Sequence, residues 1–250
     1  MKNSKSLVSS IPNFITSLNL LMGCLSIVFA FQDKLIVASV LIFMAGVLDF
    51  LDGLFARLLK AYSEFGKMLD SLADVVSFGV APSVIMFQLL NVAILRNNLD
   101  FNVESAGFLE LLIPSSAFII AIFSALRLAK FNLDKRQTKF FMGIPTPANA
   151  FLIASLPFVL KDYEMVSDIL LKIYILVPLI FILSFLLVSE IPIISLKFTN
   201  YTFRDNKSRF ILLVVSLVLL VILKISAYPF IFVFYLLISL IDNPLQKQKS

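Results

Sequence analysis

Runs of about 20 apolar residues recur along this chain, and they restrict its fold more than any other feature. A run of that length matches the hydrocarbon core of a bilayer. In lipid the backbone N–H and C=O groups must pair within their own segment, so helices are the expected spanning form. Alternating strand patterns are absent. The chain is 60% hydrophobic with a mean hydropathy of +0.98. Together these features describe an integral membrane protein with no separate soluble domain.

The runs read as eight spans, at roughly 12–31, 35–58, 66–95, 108–130, 147–160, 169–189, 208–226 and 228–242. The third is long, with a bend expected near Pro82. The connecting loops are short, and neither an internal repeat nor a low-complexity tract interrupts them. The expected architecture is therefore all-α: one polytopic membrane helical bundle, a single domain over 1–250. Nothing in the sequence reads as a cleaved signal peptide.

Charge orients the bundle. An even number of spans puts both termini on one side, with the 58–66 turn and the 130–146 and 190–207 loops. Of the 21 Lys and Arg residues, all but Lys34, Arg96, Lys161, Lys172 and Lys224 fall on that side. Cationic loops stay cytoplasmic, so both termini are expected inside a multi-pass cell-membrane protein. The net charge of +5 mostly reflects this bias and fits contact with anionic lipid. It gives no sign of nucleic-acid binding.

The chain has no histidine, which excludes imidazole metal sites and a histidine base. Its single cysteine, Cys24, cannot form an intrachain disulfide and reads as a small packing residue. The 26 Phe residues read as packing and lipid contact.

Against this apolar background the stretch Asp49–Asp74, DFLDGLFARLLKAYSEFGKMLDSLAD, stands out. An ionisable side chain in hydrocarbon costs several kcal/mol, so such residues are functional candidates by default. On a helix at about 100° per residue, Asp49, Asp52, Gly53, Ala56 and Arg57 fall within roughly 140° of one another. Gly66, Asp70 and Asp74 fall within roughly 80° on a following helix. Two adjacent helices can thus bring four carboxylates together. Such a cluster repels itself unless a cation joins it. All-oxygen ligands suit a hard divalent ion, Mg²⁺ or Mn²⁺. Gly53 and Gly66 share these faces, where a missing side chain lets a ligand approach the backbone.

The spacing Asp49-x-x-Asp52-Gly53-x-x-Ala56-Arg57, then eight residues, then Gly66-x-x-x-Asp70-x-x-x-Asp74, resembles the motif of the CDP-alcohol phosphotransferases at every fixed position. Members of that family move a phosphoalcohol group from a CDP-linked donor to an acceptor hydroxyl and release CMP. The resemblance implies that Asp49, Asp52, Asp70 and Asp74 hold metal, with Asp74 also the base. It implies that Asp52, Gly53, Ala56, Arg57 and Gly66 line the CDP site. It also suggests a homodimer. The first span opens Ile11-Pro12-Asn13-Phe14-Ile15-Thr16. Pro12 there is a normal helix start and Asn13 serves equally well as a cap. The family's Pro-Asn-x-x-Thr element places Asn13 and Thr16 beside CDP.

Two further stretches bear on the acceptor. Ser124 to Asn132 reads SALRLAKFN and Phe141 to Ala148 reads FMGIPTPA. From spacing alone they are equally a positive-inside flank and a proline-rich turn. Both are similar to the bacterial and archaeal CDP-diacylglycerol–serine O-phosphatidyltransferases, as is Ser189-Glu190-Ile191-Pro192. Those enzymes usually carry Arg where this chain has Lys130, and Leu where it has Ile144. Lys keeps the charge but loses the bidentate fork. The likeness covers most of the chain and is weakest over the two extra C-terminal helices at about 208–242. It implies CDP-diacylglycerol as donor and L-serine as acceptor, with Arg127 and Lys130 holding the serine carboxylate or the lipid phosphate. Glycerol 3-phosphate or inositol phosphate as acceptor, and a more distant ion-coupled transporter, are the other readings the residues allow.

Overall fold

The computed structural model describes residues 2–96, 108–133, 141–193 and 206–241. They form α1 (Lys2–Phe31), α2 (Leu35–Leu58), α3 (Glu64–Asp74), α4 (Ala81–Arg96), α5 (Phe108–Ser115), α6 (Ile119–Leu133), α7 (Thr146–Asp162), α8 (Glu164–Leu170), α9 (Ile173–Val188), α10 (Lys207–Leu223) and α11 (Tyr228–Ile241). Two-residue strands β1 (Phe141–Met142) and β2 (Pro192–Ile193) pair antiparallel, Phe141 opposite Ile193. The bundle is otherwise helical among the described residues.

Five helical runs are long and apolar enough to cross a membrane: Ser10–Phe31, Leu35–Leu58, Glu64–Arg96, Leu111–Leu133 and Lys207–Ile241. A sixth is the pair α8 and α9, bent by 77° at their junction. The protein is thus a helical membrane protein with five to six such spans among its described residues. The expected count of eight differs for local reasons. The helix α7 has 17 residues, short for a span, and α10 and α11 count as one run through the turn Lys224–Ala227. The expected sixth span, 169–189, begins in the structure at Ile173, because residues 164–170 form the separate helix α8.

Near Pro82 the structure shows a change of helix type. The run from Glu64 to Arg96 is continuous, but Val75–Val80 is a π-helical turn just before Pro82. Proline has no N–H and crowds the carbonyl four residues back, so the helix widens there. The turn directly follows Asp74. The Ser83 hydroxyl donates to Gly79 O at 2.7 Å within the same irregularity.

The helix α4 is the central element. Ile85, Met86, Leu89, Leu90 and Ile94 are fully buried, and Phe78 packs edge-on against Phe151 of α7. Phe43 and Tyr228 complete that aromatic cluster. Other phenylalanines, Phe14, Phe50 and Phe65 among them, are exposed on the outside, as lipid-facing residues would be. The helix α1 lies close against the π-turn, where Gly23 leaves room for Ser77; a Cβ on Gly23 would meet Ser77 Cα at 2.8 Å. The packing role assigned to Cys24 therefore belongs to Gly23, because Cys24 points to the exposed side of α1.

The helix α1 starts at Lys2, so Pro12 and Asn13 sit inside it and Asn13 is not a cap. The stretch Gly143–Pro145 is fastened to the end of α9. Gly143 N donates to Ile191 O at 3.0 Å and Ile144 N to Leu186 O at 3.1 Å. Gly143 has φ 70°, and a Cβ there would lie 2.7 Å from Leu187 O. The helix α11 packs beside α7, touching β2, while the Ser226 hydroxyl just before it donates to Asp162 at the far end of α7, at 2.7 Å.

Candidate active site

The junction of α2 and α3 builds the site. After Leu58 the chain turns through Lys60, at φ 50°, and Ser63 caps α3 by accepting from Gly66 N at 2.9 Å. A serine cap satisfies one otherwise unpaired helix N–H. This tight turn lays α3 beside α1 and sets its carboxylates facing Asp49 of α2.

Asp49, Asp70 and Asp74 each offer an oxygen within 4.8 Å of the others'. Asp49 and Asp70 are half-buried and Asp74 is buried. Oδ1 of Asp70 and Oδ1 of Asp74 are buried without a hydrogen-bond donor among the described residues. The ion pairs among those residues, Arg96–Asp168 and Lys130–Glu190, leave the cluster out. Converging, unpaired, all-oxygen ligands are the donor set of a hard divalent cation, so the residues fit the metal that the motif implies.

Asp52 is the fourth carboxylate. It stands beside the three rather than within that 4.8 Å group, and Oδ2 accepts the Thr16 hydroxyl proton at 2.7 Å. Thr16 and Asp52 are 3% and 6% exposed, so this pair ties α1 to α2 in a buried setting.

A cavity of about 700 Å³ opens next to the carboxylates. Every residue expected at the CDP site lines it: Asn13, Thr16, Asp52, Gly53, Ala56, Arg57 and Gly66. Pro12, Tyr62, Lys67 and Asp70 contribute further wall. A Cβ on Gly53 would meet nothing within 4 Å, so this backbone faces open space. Gly66 does something different: a Cβ there would lie 2.8 Å from Asn13 Oδ1, so its absence is what lets α1 approach α3. Arg57 Nε donates to Gly53 O at 3.0 Å, which anchors the guanidinium at the cavity.

The two cations expected on the acceptor side separate. Arg127 is 8% exposed, donates to the Thr146 hydroxyl at 3.3 Å, and interacts electrostatically with Asp74. Lys130, one turn on, is in an exposed ion pair with Glu190 at 3.3 Å. Neither lines the cavity of the CDP candidates. Asn19 is a residue the sequence reading did not assign. It is fully buried in α1, its side-chain amide faces Asp74, and its backbone carbonyl accepts the Ser77 hydroxyl at 3.0 Å. Its signal was present: it stands three residues after Thr16, on the same helix face.

A membrane helical bundle with a carboxylate cluster beside such a cavity suits chemistry assisted by a divalent cation. The sequence model of the family described as CDP-alcohol phosphatidyltransferase matches residues 9–183. The chain belongs to that family. Curated relatives carry the name CDP-diacylglycerol–serine O-phosphatidyltransferase. The protein of that name from Helicobacter pylori strain 26695 is 31% identical over 232 residues, covering 92% of this chain and 89% of the relative. That from Methanocaldococcus jannaschii is 33% identical, covering 65% and 73%. That from Bacillus subtilis is 35% identical, covering 59% and 75%.

Proposed function

We propose that this protein transfers the phosphatidyl group from CDP-diacylglycerol to the hydroxyl of L-serine, giving phosphatidylserine and CMP. The observation that carries the reading is the convergence of Asp49, Asp70 and Asp74 at the cavity lined by the CDP-motif residues. The names of relatives that span nearly the whole chain support serine as the acceptor.

CDP enters the α1–α3 cavity, and Gly53 lets it approach the backbone. Arg57 presents a planar fork to the pyrophosphate oxygens. Asn13 and Thr16 border the nucleotide from α1. Asp49, Asp52, Asp70 and Asp74 would hold the divalent metal; Oδ2 of Asp52 also accepts from Thr16. When bound, Mg²⁺ or Mn²⁺ neutralises pyrophosphate charge and stabilises the leaving phosphate. The serine hydroxyl oxygen attacks the phosphorus bearing the diacylglycerol. Its proton passes to Asp74, the P–O bond to CMP breaks, and CMP carries away the electron pair. Arg127 meets the acceptor from α6. Lys130 sits further out, where it meets anionic substrate at the mouth.

The orientation follows the charge bias. Both termini and the cavity face the cytosol, the donor arrives laterally from the inner leaflet, and eight crossings result if α7 counts as a span and the C-terminal run divides at Lys224–Ala227. The enzyme works as a homodimer.

Purified protein supplied with CDP-diacylglycerol and labelled serine tests the reading. Labelled phosphatidylserine should form and cease in excess EDTA. Lipid product from glycerol 3-phosphate with none from serine would overturn the acceptor assignment.

A further inference from the structure

Outside the lining of the CDP cavity, two buried polar side chains, Arg127 and Asn149, carry atoms without partners among the described residues. Arg127 Nε has no acceptor among the described residues, although the side chain is 8% exposed. Asn149 is 0% exposed, and neither its amide oxygen nor its amide nitrogen has a partner among those residues. Asn149 stands one turn beyond Thr146 on α7, so it shares the face that Thr146 turns to Arg127. Buried polar groups are almost always hydrogen-bonded, so an orphaned amide and an orphaned guanidinium N–H in one region mark a place where a polar ligand belongs.

A third element closes this region. The helix α11 lies along α7, and Tyr235 packs against the core with its phenol in the electrostatic field of the Arg127 guanidinium. Its residues fall outside the 9–183 that the family model matches. The site therefore borrows a side chain from beyond the stretch that the family model matches.

We infer that Asn149 and Tyr235, with Arg127, form the pocket that recognises the amino-acid end of the acceptor, and that they determine its specificity. The inference rests on the serine-transfer reading and deepens it. The donor and acceptor chemistry matches a small zwitterion. The Arg127 guanidinium and the Asn149 NH₂ donate to a carboxylate. The Asn149 carbonyl oxygen accepts from an ammonium, and Tyr235 borders the same region from α11. The helix α6 packs against the Val75–Val80 turn that directly follows Asp74, so this region lies beside the proposed base. An alcohol lacking either charge leaves these groups unpaired, which is how a polar pocket rejects an analogue.

The test uses the full-length enzyme in lipid nanodiscs, with serine and CDP-diacylglycerol varied separately. Tyr235→Phe removes one hydroxyl, and Asn149→Leu removes the amide at similar volume. The serine KM should rise about tenfold in Asn149→Leu and several-fold in Tyr235→Phe, with the CDP-diacylglycerol KM unchanged. A purely structural role would move both KM values together or lower the thermal midpoint with no such split, and would overturn the inference. If Asn149→Leu fails to fold, Tyr235→Phe decides alone. A wild-type enzyme that incorporates no serine refutes the functional reading and this inference with it. Serine turnover in wild type, with serine KM within twofold in the folded variants, refutes this inference only.

Discussion

Replacing Thr16 by valine probes the site where α1 meets the carboxylate-bearing helices. The Thr16 hydroxyl has one proton and two oxygens in range, Asp52 Oδ2 at 2.7 Å and Pro12 O at 3.0 Å. The carboxylate is charged and closer, so it takes the proton. Pro12 O is also within reach of the Thr16 backbone N–H, four residues on in the same helix. Valine keeps the β-branched shape and removes the donor. A hydrogen bond to a charged group is worth about 1.5–3 kcal/mol. Both partners are buried at the cavity wall, so solvent replaces it only in part. If the loss is felt in the transition state, kcat/KM for CDP-diacylglycerol should fall roughly 10- to 150-fold, at 1.36 kcal/mol per factor of ten. Thr16→Ser should retain most activity. The assay is labelled-serine incorporation with the lipid donor varied and metal in excess. A valine variant within twofold of wild type would refute the argument, as would a serine variant that falls as far.

Asp49→Asn, Asp70→Asn and Asp74→Asn should each reduce turnover to background and weaken Mn²⁺ binding, read by electron paramagnetic resonance of the free ion. Arg57→Lys should weaken donor use well beyond a charge-conserving change, because lysine cannot present the fork at the cavity; unchanged donor kinetics would exclude that contact. Lys130→Ala should lower stability by no more than about 1 kcal/mol, as for other exposed ion pairs, and should cost less activity than Arg127→Ala. Gly143→Ala should lower the thermal midpoint, since φ 70° and the Leu187 carbonyl 2.7 Å from the added Cβ both oppose it.

The sequence by itself determined the membrane class, the helical form and the location of the chemistry. These properties are carried by local patterns. Apolar runs of bilayer length must be helices whatever surrounds them, and the carboxylates of Asp49 to Asp74 fall on two helix faces by the 3.6-residue repeat alone. The N-terminal reading failed for a local reason too: Pro12 is tolerated inside α1, so its presence did not mark where the helix starts. The tertiary structure decided which groups the same local rules leave equivalent. Arg127 and Lys130 are three residues apart in one helix, yet packing of α6 against α7 turns the first inward to Thr146 and leaves the second paired with Glu190 at the surface. Gly53 and Gly66 look alike in the motif, yet one faces open cavity and the other accommodates Asn13. Asn149 and Tyr235 carry no motif at all. They join the site through contacts between helices far apart in the chain, and such contacts depend on how side chains interlock in three dimensions rather than on any spacing along the sequence.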